Sequence, residues 1–140
     1  MKRDAAIFAK QMIAIDTNVV VRFLVNDDPE QARRARRLIE SESVFLSTSV
    51  LLETEWVLRA AYQRPRAPVL AMLRAFLGLP SVIAQDLRVA ITALEWAERG
   101  MDFADALHLA GCPSCDAFAT FDRALSKMAR IAGAIPVRAP

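Results

Sequence analysis

Long apolar runs are missing from this chain: no stretch approaches the roughly 20 residues that a membrane-spanning helix needs. Cysteine is scarce, with two in 140 residues, too few for a disulfide scaffold. Neither sign of charge dominates. Eighteen Lys and Arg against 16 Asp and Glu leave +2, which announces no nucleic-acid partner, although a local basic face would suffice for one. Internal repeats and low-complexity linkers are absent. The N-terminus starts basic, at Lys2 and Arg3, but lacks the apolar core of a secretory signal. These absences point to a cytoplasmic protein. What is present is 54% hydrophobic and 24% charged residues, which excludes disorder, in a length suited to one domain with a sizeable core.

The apolar segments alternate between strand-like and helix-like lengths, the pattern of an α/β protein with a parallel sheet. Short strands are expected at 12–15, 43–46, 81–84, 117–120 and 135–137. Helices are expected between them. Asp28-Pro29 is a strong helix start, with Asp as N-cap and Pro in the first turn. Ser47, Thr48 or Ser49 caps a helix running to about Tyr62. Pro65 and Pro68 bracket a break before a helix over Val69 to Leu77, stopped by Gly78 and Pro80. Asp86 caps a helix to about Glu98 that Gly100 ends, and Asp102 opens the next. A last helix is expected from Arg123 to Ile131.

Four acids stand where this layout gives them meaning. Asp16 ends the apolar run Met12 to Ile15, and Asp122 closes Ala117 to Phe121. Both follow strands, at the edge where sites form in open parallel sheets. Glu53 follows Val50-Leu51-Leu52, and its helical neighbours Val50 and Val57 are apolar. Glu55, by contrast, has Arg59 four residues on, the favourable order for a surface pair. Asp102 and Asp105 share a helix face. Asp102 fits the N-cap, which leaves Asp105 as the better ligand. Each acid has an ordinary structural use, and capping explains Asp16 equally well. Convergence of all four on one sheet edge would instead call for a shared partner, and a hard divalent cation is the simplest. Thr17 and Asn18 beside Asp16, and Thr120 beside Asp122, are the supporting polar residues.

Four segments carry a family resemblance. They are Met12-Ile-Ala-Ile-Asp-Thr-Asn-Val-Val-Val-Arg-Phe-Leu, Leu51-Leu-Glu-Thr-Glu-Trp-Val-Leu, Asp102-Phe-Ala-Asp-Ala-Leu-His and Phe118-Ala-Thr-Phe-Asp-Arg. In this order they resemble PIN-domain proteins of the VapC toxin type. The resemblance spans nearly the whole chain from Met12, so residues 12–140 read as a single PIN-like domain. Residues 1–11 then form an N-terminal extension, or else Met12 is the true start. The resemblance implies a three-layer α/β/α sandwich with a mainly parallel central sheet. It implies a metal-dependent endoribonuclease with Asp16, Glu53, Asp105 and Asp122 as its acidic quartet, one or two Mg²⁺ or Mn²⁺ ions and an RNA substrate. It also implies a VapB-type antitoxin and a homodimer. A protein-binding scaffold of the same fold without catalysis is the alternative.

Basic residues near the acidic edge would meet RNA phosphates, and Arg22 and Arg123 are the candidates. Arg33, Arg34, Arg36 and Arg37 cluster more densely, but Glu30 can pair with Arg34 and Glu40 with Arg36 or Arg37, which reads as a solvated face. Cys112-Pro-Ser-Cys115 has the form of a redox motif at the wrong end of its helix, and with His108 it offers three zinc ligands where a structural site wants four. An aspartyl phosphotransfer centre at Asp16 is disfavoured, since Asn18 occupies the place of its second acid.

Overall fold

Helix caps punctuate this chain, and most of them are read directly from the sequence. In the computed structural model, which describes residues 11–140, side chains of Asp16, Asp28, Ser47, Asp86, Asp102 and Asp122 each accept a hydrogen bond from a backbone N–H three residues on. Each satisfies a donor that the helix itself leaves without a partner. The reading of residues 1–11 as an extension lies outside the described residues except at Gln11. Its N–H donates to Glu42 Oε2 at 3.0 Å, and its carbonyl accepts from Ser43 at 3.2 Å.

Strand β1 (Met12–Ala14) leads into α1 (Thr17–Val25), which Asn26 ends in a left-handed conformation. Helix α2 (Pro29–Ser41) returns the chain to β2 (Ser43–Leu46). Helix α3 (Thr48–Trp56) runs on into a π-helical turn over Val57–Ala61. Helix α4 (Arg66–Leu77), β3 (Val82–Ala84), α5 (Leu87–Glu98) and α6 (Phe103–Ala110) follow. The chain ends in β4 (Phe118–Ala119), α7 (Arg123–Ala132) and β5 (Val137–Arg138). Helix α4 begins three residues before the expected Val69. Pro68 falls in its first turn, where a missing N–H removes no helical bond, so the proline does not break it.

Among the described residues all strand pairs are parallel. Ile13 is in register with Val44, and Val44 with Val82, in a sheet ordered β1-β2-β3. Strands β4 and β5 form a second ladder, with Ala119 opposite Arg138. The architecture is α/β with helices packed on parallel strands, as the alternating pattern predicts. The five strands of the described residues divide three and two between separate backbone ladders.

Beneath the helices, Val44 and Leu46 of β2 meet Leu58, Val69, Leu70, Leu73, Phe76 and Leu94 in one core. Phe23 of α1 packs edge-on against Phe76 of α4, with centroids 5.6 Å apart. Burial of each such side chain stabilises the fold by about 1.5–3 kcal/mol relative to exposure. No helix among the described residues is long and apolar enough to cross a membrane.

Candidate active site

The C-terminal ends of β1, β2 and β4 carry the chain into helices whose first residues are polar. At β1 the carboxylate of Asp16 caps α1, accepting from Val19 N at 3.1 Å. Capping and site function are compatible here, because a cap uses one carboxylate oxygen. Thr17 is buried, and its hydroxyl donates to Glu53 Oε1 at 2.5 Å. That bond ties α1 to α3, which pack together, and fixes one oxygen of an otherwise exposed glutamate. Asn18 is exposed one residue further on. Asp16, Thr17 and Glu53 thus make one half of the edge.

The other half comes from α6 and α7. Asp102 caps α6 through Oδ2, accepting from Asp105 N at 3.1 Å. Asp105 is half-buried in the first turn. Burial first, then the negative charges of Asp102 and Asp122, push its carboxyl above the ordinary range, with His108 opposing. Asp122 caps α7, accepting from Leu125 N at 3.0 Å. Thr120 does not hold the Asp122 carboxylate, a role its spacing allowed. Its Oγ1 accepts from the backbone N–H of Asp122 at 3.0 Å and shapes the turn instead.

Helix α3 packs on α6, so the helices bearing Glu53 and Asp105 are neighbours. Among the described residues, no three His, Cys, Asp or Glu side chains stand together as a ready metal cage. The donor set nevertheless fits Mg²⁺ or Mn²⁺ in kind. Every donor is a hard oxygen, and Mg²⁺ typically takes only one or two carboxylates with water and substrate phosphate completing its shell. Repulsion of Asp105 by two neighbouring carboxylates is the electrostatic state that a cation relieves. Asp105 with Asp122, and Asp16 with Glu53, are the pairs that would hold it.

The buried acid of the region is Glu55, which the sequence assigns to the surface. It is 3% exposed, and its oxygens accept from Arg59 Nε at 2.8 Å and Nη2 at 3.3 Å. The i,i+4 pairing holds as expected, but its location does not, because α3 is covered by both α4 and α6. Arg59 also feels the charge of Asp102, which raises its pKa together with the dominant Glu55 bond. Glu55 and Arg59 therefore pair along α3 and the turn that follows it, with the charge of Asp102 at the start of α6 acting on Arg59.

Arg22 is less available to phosphate than its position suggests. Its Nε donates to Gln31 at 2.6 Å, and Nη1 donates to Asp27 at 3.1 Å and Tyr62 at 3.0 Å. Tyr62 in turn donates to Asp27 at 2.8 Å. Nothing in the local sequence marks this network, since Tyr62 is 40 residues from Arg22. A cleft of about 320 Å³ between α1 and α2 is lined by Asn18, Arg22, Gln31 and Arg34, but by none of the four acids. On α2, Glu30 pairs with Arg33 rather than Arg34, and Glu40 forms no ion pair among the described residues. Arg123 is exposed at the first position of α7. Cys112 and Cys115 are free thiols, and Cys112 Sγ lies 3.3 Å from the Leu109 carbonyl at the end of α6.

The sequence model of the PIN domain matches residues 13–131. The fold is similar to a solved structure described as VapBC2 from Rickettsia felis bound to a DNA fragment from their promoter. Identity to it is 12% and the TM-score 0.39, with 91% of this chain and 97% of that one covered. No curated protein matches the sequence.

Proposed function

The chain belongs to the PIN-domain family, and from that premise we propose that it is a divalent-metal-dependent endoribonuclease, the toxin of a VapBC-type pair. The observation that carries this reading is Asp105, half-buried at the start of α6 with the charges of Asp102 and Asp122 acting on it, in a chain that supplies hard oxygen ligands there. Mg²⁺ or Mn²⁺, as one ion or two, would supply activation of water and neutralisation of the phosphodiester oxygens. Asp16, Glu53, Asp105 and Asp122 are the residues assigned to hold it. Thr17 fixes the rotamer of Glu53 by its hydroxyl bond, and the exposed Asn18 beside it lines the cleft between α1 and α2. Asp102 and Asp122 anchor their helices through one carboxylate oxygen each, which leaves the other for a cation. The products of in-line attack by water are a 5′-phosphate and a 3′-hydroxyl.

A homodimer and a VapB-type antitoxin complete the proposal on the strength of the four motifs, with a cytoplasmic setting. Co-purification of this chain with the product of a small adjacent gene tests the partner.

A scaffold without catalysis is the second reading. It is favoured by the lack, among the described residues, of three acids already gathered about one point. Pooled RNA incubated with the pure protein and Mn²⁺ separates the two. Cleavage is expected, with loss on the order of 100-fold or more in Asp16→Asn, the scale of one electrostatic transition-state contact. Asparagine caps a helix as well as aspartate does, so the variant keeps its fold. Cleavage that survives EDTA, that ends in 2′,3′-cyclic phosphate, or that is equal in wild type and variant would overturn the nuclease reading.

A further inference from the structure

Helix α7 has no acidic residue, and its basic residues are not scattered. Arg123, Lys127 and Arg130 recur at i, i+4 and i+7 and are all exposed. At about 100° per residue they cover about 60° of the helical wheel. Leu125 and Ala129, both buried, with Met128 packed on the core, occupy the opposite side. Arg123 sits at the positive end of the helix dipole, where a cation is disfavoured, so helix stability does not explain it. None of the three is in an ion pair among the described residues, in contrast to Arg33, Arg59 and Arg74.

At the N-terminal end of this stripe stands Phe121, 86% exposed, the most exposed of the large apolar side chains described. Its backbone is held on both sides. Thr120 N donates to the Arg138 carbonyl at 2.9 Å, Asp122 N to Thr120 Oγ1 at 3.0 Å, and Ser126 Oγ to the Asp122 carbonyl at 3.1 Å. The ring is therefore presented to solvent by an ordered turn. Arg138, also exposed, lies on β5 beside that turn.

We propose that Phe121 and the basic stripe of α7 form a track for single-stranded RNA, with one unpaired base stacked on Phe121 and the backbone running along Arg123, Lys127 and Arg130. An aromatic platform flanked by cations is the chemistry that binds unpaired nucleotides without reading sequence. The track ends at Asp122, next in the chain to Phe121, so the phosphate beyond the stacked base is delivered to the acidic edge. This deepens the nuclease reading and rests on it for the choice of RNA as ligand.

The test uses the full chain in EDTA, so binding is read without cleavage. A fluorescently labelled, unstructured RNA oligonucleotide is titrated with wild type, Phe121→Ala, Phe121→Trp and the double variant Lys127→Ala/Arg130→Ala. Phe121→Ala is expected to weaken binding roughly 5-fold or more, the scale of one stacked base. Phe121→Trp is expected to retain binding, with its added emission quenched by RNA. The double variant is expected to lose roughly 2- to 5-fold per charge. The slope of log affinity against log salt should also fall by about 1.4, at about 0.7 per phosphate contact. With Mn²⁺ present, the double variant should raise KM and leave kcat unchanged. Unaltered RNA affinity in both alanine variants overturns the track. So does a change in oligomeric state with RNA affinity intact, which would make this face a protein interface. If wild type binds with this dependence but never cleaves, the track stands and the nuclease reading falls.

Discussion

At Glu53 a hydroxyl bonds the carboxylate, whereas at Asp105 the charges of two further carboxylates act on it. The first half of the acidic edge is organised by a Thr17 bond that links α1 to α3. The second half is organised by caps that fix Asp102 and Asp122 and so hold their charges near Asp105. Secondary structure alone accounts for those two caps. Asp105 lies in the first turn of α6, where the dipole favours an acid, but it is half-buried with the charges of Asp102 and Asp122 acting on it. A half-buried carboxylate facing like charges is the stronger pointer to chemistry, and Asp105 is that residue here.

The largest effect that sharpens this contrast is on activity. Asp105→Asn is expected to lower metal-dependent cleavage on the order of 100-fold or more while raising the melting temperature. Thr17→Val should leave the second half untouched and lower activity less, because it frees Glu53 to turn without removing an acid. If Asp105→Asn lowers the melting temperature, the repulsion at Asp105 is not what distinguishes the halves.

Next in size is the support beneath them. Arg59→Ala leaves Glu55 buried without a cation, which is expected to lower stability by about 2–3 kcal/mol in urea unfolding. That is below the ~3–5 kcal/mol of a wholly buried pair, because the Arg59 side chain is 39% exposed. A change under about 0.5 kcal/mol would show that the buried Glu55 does not depend on Arg59 for its charge.

The smaller effects are in pH. The folded carboxyl of Asp105 holds its proton more tightly than the ordinary value of 3.8. Its contribution to stability is therefore complete below that value and is lost as pH rises through the folded value. The advantage of Asp105→Asn over wild type should accordingly be larger at pH 7 than near pH 3.5. Asp27 behaves in the opposite sense. Tyr62 first, and then Arg22, hold its carboxyl below the ordinary value, so its contribution is present above 3.8 and is lost as pH falls through the folded value. Tyr62→Phe should shift the acid limb of the stability curve slightly upward in pH, and no shift would mean the exposed bond adds nothing.

Much of this was legible in the chain because it is encoded locally. Asp28-Pro29, Asp86 and Asp102 are N-caps whose signal lies within three residues, and each caps as expected. Strand β2 matches its expected span because its residues alternate between the core and its margin. What was not legible depends on neighbours distant in sequence. Glu55 reads as a surface acid until α4 and α6 cover α3. Arg22 reads as a phosphate ligand until Tyr62 arrives from the π-helical turn. The expected pairing of Glu30 with Arg34 fails for a local reason, since Arg33 at i+3 competes for the same carboxylate. The basic stripe of α7 was present in the sequence at helical spacing and is outnumbered there by the denser arginine cluster of α2. Only exposure and the absence of acids on α7 set it apart.

The claim on which the rest depends is that the two halves of the edge serve one metal site. Mn²⁺ titration followed by electron paramagnetic resonance, on wild type, Glu53→Gln and Asp105→Asn without RNA, tests it most directly. Weak binding by wild type, lowered by each substitution, is the expected result. Binding indifferent to Glu53→Gln, or no binding by wild type beyond that of Asp105→Asn, would contradict it.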